Sequence, residues 1–94
     1  MTSIVWTHQA LEDIESIHLF IARDSERYAA MMAERILDSI ERLRDFPKSG
    51  RIVPEVGCEE LRELLIGAYR VVYRCGENRV TILTVVHGAQ LLSP

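Results

Sequence analysis

The residues with the most chemical potential lie in the last third of the chain. Read as a strand, Tyr69-Arg70-Val71-Val72-Tyr73-Arg74 sorts Tyr69, Val71 and Tyr73 to one face and Arg70, Val72 and Arg74 to the other. His87 follows another strand-like run and precedes Gly88. With an ordinary pKa of about 6.5, a histidine there could serve as general acid or base. Arg62, Arg70 and Arg74 could then stabilise a phosphoryl transition state beside it. Each residue also has a bland reading. An arginine on a strand often pairs with a nearby acid such as Glu63, and a lone histidine at a strand end is usually a hydrogen-bonded structural residue.

Other catalytic patterns are missing from the sequence. It has no GxSxG, no Gly-rich phosphate loop and no HExxH. Glu12-Asp13 and Glu59-Glu60 are adjacent pairs whose side chains diverge, and both read as solvated faces. Cys58 and Cys75 are too far apart for a CxxC motif and have no His or Cys at ligand spacing. Reduced structural thiols, no metal site and no cofactor are expected. His8 and His18 read as surface or helix-packing residues, and Trp6 as a core anchor.

Charge narrows the function classes. Eleven basic and fourteen acidic residues give a net of −3, and only one of the basic residues is a lysine. Residues 1–46 carry five arginines against nine acids, whereas 47–94 carry six basic groups against five acids. Counterion release drives most phosphate-backbone affinity, so a chain without basic excess predicts no direct nucleic-acid binding. The N-terminus lacks a basic region followed by an apolar one, and no run approaches the ~20 apolar residues of a membrane span. A cytoplasmic protein is the expectation.

Ninety-four residues allow a single domain, 1–94, with a small core. Ser3–Thr7 reads as a short strand ending in a helix N-cap residue. Ala10, Ile14, Ile17 and Ile21 recur at helical spacing over Gln9–Asp24, with Asp24-Ser25 as the break. A second helix over Glu26–Asp45 places Ala29, Met32, Ala33, Ile36, Leu37, Ile40 and Leu43 on one face and stops at Phe46-Pro47. Pro47–Glu60 reads as the only long loop. Leu61–Ile66, Tyr69–Cys75 and Arg79–Val86 read as strands joined by hairpin-sized breaks at Gly67-Ala68 and Gly76-Glu77-Asn78. The order β-α-α-β-β-β predicts a two-layer α+β domain: an antiparallel sheet with a helical hairpin on one face and the arginine face left open.

The turn at Gly67-Ala68 controls what the arginines meet. A two-residue turn pairs Leu65 with Arg70 and Glu63 with Val72, which neutralises charge. A three-residue turn slips the register by one, and Arg62 then joins Arg70 in an anion-seeking cluster. The sequence leaves both open.

Taken together, several segments resemble the RelE/ParE superfamily of toxins, and most closely its ParE, or plasmid stabilisation, branch. They are Trp6, Ala10-Leu11-Glu12-Asp13-Ile14, Phe20-Ile21, Phe46-Pro47-Lys48-Ser49-Gly50-Arg51, Val53-Pro54-Glu55, Leu61-Arg62-Glu63-Leu64, the 69–74 run, and Ile82–Ala89. The resemblance implies the toxin of a type II toxin–antitoxin module, neutralised by a ribbon-helix-helix (ParD-like) antitoxin whose C-terminal segment folds on binding. It further implies inhibition of DNA gyrase by binding, with no catalytic residues. The alternative is a RelE-like ribosome-dependent mRNA endoribonuclease using Arg51, Arg62, Arg70 and His87. Gln90 stands where many relatives carry an arginine, which weighs against that alternative. Acidic antitoxin side chains are expected to meet Arg62, Arg70 and Arg74, with an amphipathic helix lying along the rim of the helical hairpin.

Overall fold

The computed structural model describes residues 2–88, so the expectation attached to Gln90 lies outside the described residues. Strand β1 (Ser3–Trp6) leads directly into helix α1 (His8–Ala22), and α2 (Glu26–Glu41) follows a short break. The Thr7 and Ser25 hydroxyls cap the two helices by accepting from the N–H of Ala10 and Tyr28. Both caps stand where the sequence placed them. α2 tightens into a single 3-10 turn, Arg42–Arg44, before Phe46-Pro47.

The remainder is a sheet of β2 (Arg51–Ile52), β3 (Leu61–Ile66), β4 (Tyr69–Gly76) and β5 (Arg79–His87). Its order is β1-β5-β4-β3-β2. β2 through β5 pair antiparallel, but β1 pairs parallel with β5, so the expected antiparallel sheet is in fact mixed. The chain reaches β5 only after the helical hairpin and the meander, and β1 completes the edge that this long crossover leaves free. β2 was not anticipated, because two residues within a loop carry no periodicity.

The helical hairpin buries its apolar stripe on one face of the sheet. Ala10, Ile21, Ala29, Met32, Ile36, Ile40 and Leu43 meet Ile66, Val71, Tyr73, Val80, Ile82 and Val85. Burying an aliphatic side chain of this kind contributes roughly 1.5–3 kcal/mol, which makes this cluster the main stabiliser of the domain. The opposite face is not left open. The segment after β2 folds back over it, and Val53 and Val72 are buried there outside the main core.

A bulge interrupts the β4–β5 ladder: Val72 pairs with Thr84 and Tyr73 with Ile82, leaving Leu83 over. The extra residue resets the side-chain phase, so Ile82 and Val85 both face the helices. Thr7 and Asp13 brace this spot. The Thr7 hydroxyl lies 2.9 Å from the carbonyls of both Ile82 and Leu83, while Asp13 Oδ2 accepts from Val85 N–H at 2.9 Å and from the Thr84 hydroxyl. Asp13 is thus not a solvated residue, as its pairing with Glu12 suggested. It lies three residues after Ala10 and four before Ile17, on the buried stripe of α1. Glu12 points away and pairs with His8 on the surface.

Candidate functional site

Gly67-Ala68 forms a two-residue turn, with Leu65 opposite Arg70 and Glu63 opposite Val72. Gly67 has φ +58°, a value glycine adopts without steric cost. This is the charge-neutralising register, and the rest of the site follows from it.

Glu63, 1% exposed, sits on the loop-covered face between two arginines. Its Oε2 takes Arg51 Nε at 2.5 Å, and its Oε1 lies 3.2 Å from Arg70 Nη1. Glu55, from the covering loop, binds Arg70 with both oxygens at 3.1 and 2.7 Å. That forked geometry is what a guanidinium is shaped for. The Glu55 hydrogen bonds raise the Arg70 pKa above its ordinary value against the opposing effect of burial, with Glu63 adding to the rise. Two arginines and two glutamates therefore balance within one largely buried cluster. The expectation that Arg70 lies on an open face is corrected: its side chain is 5% exposed and is occupied by two carboxylates. Arg74, four residues further along β4 on the same face, is exposed.

Arg62 lies on the helix-facing side, where it donates to the carbonyls of Gly50 at 3.0 Å and Lys48 at 3.4 Å. Its cross-strand neighbour Tyr73 holds the same loop. The Tyr73 phenol donates to the Pro47 carbonyl at 2.8 Å and accepts from Gly50 N–H at 3.0 Å. Burial pushes this phenol above the ordinary tyrosine value, only partly offset by the Gly50 bond and by Arg62. A Cβ on Gly50 would stand 2.7 Å from both the Glu63 carbonyl oxygen and the Tyr73 hydroxyl, so only glycine fits this close approach.

His87 is exposed and lies opposite Tyr69, their rings edge to face at 5.9 Å. Both line a groove of about 490 Å³ between α1 and β5, together with Asp13, Phe20 and Thr84. A second groove of about 290 Å³ continues past Phe20 and Tyr69 toward Tyr28 and Met32. Arg70 lies opposite Val86, one residue from His87, so the two project from opposite faces of the sheet. Arg62 shares the face of His87 but lies two strands across and four residues along β4 from it, an offset of roughly 13 Å along the strand alone. The four residues of the ribonuclease expectation thus separate into a neutralised pair (Arg51 and Arg70), a loop anchor (Arg62) and a groove residue (His87). The contributions of Glu55, Asp13 and Tyr73 escaped sequence reasoning, and for Asp13 alone the helical spacing held a usable signal. Among the described residues there is no cluster of three metal-ligating side chains, and no helix is long and apolar enough to cross a membrane.

Similar proteins place this geometry in a family. The family described as "ParE toxin of type II toxin-antitoxin system, parDE" matches residues 4–92. The toxin RelE2 of Caulobacter vibrioides is 32% identical over 92 residues, spanning 97% of this chain and 100% of its own. Among solved structures, a chain of the chromosomal ParDE system of P. aeruginosa superposes with a TM-score of 0.75 at 19% identity, covering 93% of this chain and 96% of that one. A YoeB/ParE toxin from Agrobacterium tumefaciens gives a TM-score of 0.65 at 24% identity, over 92% and 98% of the two chains. At such identities the structural likeness speaks for the fold alone, and the names of these relatives span both the ParE and the RelE type. The family match covers nearly all of the sequence, and the chain belongs to the ParE toxin family of type II toxin–antitoxin systems.

Proposed function

We propose that this toxin acts by binding, as an inhibitor of DNA gyrase, and is neutralised by an antitoxin encoded beside it. The observation that supports a binding mode is the fate of the arginines. Arg70 and Arg51 are engaged by Glu55 and Glu63, on the sheet face opposite His87. An RNA-cleaving site needs cationic groups converging with the acid or base on one phosphate, and that convergence is weakly supported here. The antitoxin would contact the exposed apolar residues of the helical hairpin, Leu19, Phe20, Tyr28 and Met31, with its acidic side chains meeting Arg74 and the accessible edge of Arg62. Arg70 contributes indirectly, by holding the loop over that face.

The ribonuclease reading keeps one supporting observation: His87 is exposed in the larger groove beside Tyr69. A supercoiling assay with purified gyrase, toxin and antitoxin separates the two. The expected result is inhibition that antitoxin relieves and that His87→Ala leaves intact. Absence of inhibition at large molar excess, together with ribosome-dependent RNA cleavage that His87→Ala abolishes, would overturn the proposal.

A further inference from the structure

Cys58 and Cys75, unrelated in sequence, come together at the far end of the β3–β4 ladder. Leu61 pairs with Arg74, and the next step places Glu60 against Cys75, whose N–H donates to the Glu60 carbonyl at 2.7 Å. A turn closed by Leu61 N–H on the Cys58 carbonyl, at 3.1 Å, curls the chain back so that Cys58 returns toward the ladder. Both cysteines line one cleft of about 250 Å³ with Lys48, Glu59 and Glu60. Both thiols are free; Cys58 is exposed, whereas Cys75 is half-buried against the core. An accessible thiol with a sheltered one in the same cleft is the arrangement of an attacking and a resolving cysteine.

We propose that Cys58 and Cys75 form a redox-responsive pair that closes into an intramolecular disulfide when the protein meets a low-molecular-weight disulfide such as oxidised glutathione. The Cys58 thiolate attacks one glutathione sulfur, forming a mixed disulfide and expelling the first glutathione thiolate. The Cys75 thiolate then attacks Cys58 Sγ and expels the second. The two protein thiols are oxidised, one glutathione disulfide is reduced to two glutathiones, and the two thiol protons pass to the leaving thiolates. The new bond would tie the 58–60 turn to β4 and fix the C-terminal end of the segment that carries Glu55 over Arg70. Oxidation would thereby stiffen the covered face of the sheet, a property independent of whether the target is gyrase or RNA.

The test equilibrates the full chain in glutathione buffers of rising oxidised fraction, quenches with a thiol alkylator, and reads mass, free thiols and tryptic peptides without reduction. The expected result is a monomer lighter by two hydrogens, with both thiols lost and peptide Ile52–Arg62 joined to peptide Cys75–Arg79. Cys58→Ser and Cys75→Ser should each stop at a single glutathione adduct. Closing a loop of this length should also raise Tm by at least about 5 °C relative to the reduced protein. Wild-type protein that accumulates two glutathione adducts, or pairs between molecules, would overturn the proposal. So would thiols that react only in denaturant. A joined peptide with unchanged Tm would overturn the stiffening.

Discussion

The phenol of Tyr73 bridges Pro47 and Gly50 at the point where the helical layer gives way to the sheet. Tyr73→Phe keeps the ring in the core but strands a buried N–H, and should cost about 1–3 kcal/mol in denaturant unfolding. Burial raises this phenol's pKa in the folded state, so its contribution is fully present below the ordinary tyrosine value of about 10 and is lost as pH rises through the higher folded value. The stability gap between wild type and Tyr73→Phe should therefore narrow above about pH 10. A gap constant from pH 8 to 11 would show that the phenol does not titrate with unfolding. Arg70 and Arg74 offer a second contrast. Arg70→Ala leaves Glu63 buried with Arg51 as its remaining partner and should cost about 3–5 kcal/mol, whereas Arg74→Ala, on the surface, should stay within about 0.5 kcal/mol. The Glu63–Arg70 pairing could be foreseen, because it follows from one of two turn lengths. The Glu55 pairing could not. Glu55 lies 15 residues away in an irregular segment, and no periodicity points it at a strand.

The elements with a strong repeat were legible: both helices with their caps, and the three long strands within a residue or so of their observed ends. What escaped depends on contacts between elements that carry no local signal. The parallel β1–β5 edge, the two-residue β2 and the bulge at Leu83 belong to this class. So does the covering loop, whose Val53-Pro54-Glu55 reads as irregular until Arg70 is in place to bind it. Turn chemistry at this scale gives a paired test. Gly57 and Gly67 both have positive φ, but a Cβ at Gly57 meets open space, whereas one at Gly67 stands 3.2 Å from Met32 Cε. Gly57→Ala should cost only the left-handed backbone penalty, about 1–2 kcal/mol. Gly67→Ala should cost that plus whatever Met32 gives up in moving, read as a lower midpoint in urea with an unchanged slope. Equal costs would show that the methionine yields freely.

At the scale of the molecule, the two faces of the sheet are covered in different ways. One face carries the helical hairpin with the grooves beside it, and the other is closed by a loop and a balanced charge cluster. An acidic chain whose best-placed arginine is internally neutralised has little to draw it toward a phosphate backbone. What it does offer a protein partner is exposed apolar area along the hairpin, where Leu19 is 59% and Phe20 63% exposed. Phe20 lines both grooves, so a partner helix laid there would bury it at the centre of contact, where single side chains carry most of the binding energy. Phe20→Glu places a charge at that centre while disturbing little of the folded core, since the residue is already largely solvated. Antitoxin affinity should fall by at least about 30-fold, equivalent to a hot-spot loss of about 2 kcal/mol, with the thermal midpoint nearly unchanged. Arg74→Glu should weaken binding less and in a manner that rising salt erases, because an exposed charge at the rim acts mainly through screened, long-range attraction. Titration calorimetry of the purified pair at two ionic strengths distinguishes these effects. If Phe20→Glu bound as tightly as wild type while Arg74→Glu lost the complex at every salt concentration, the antitoxin would have to approach from the loop-covered face. The Glu55–Arg70 latch would then have to open to admit it.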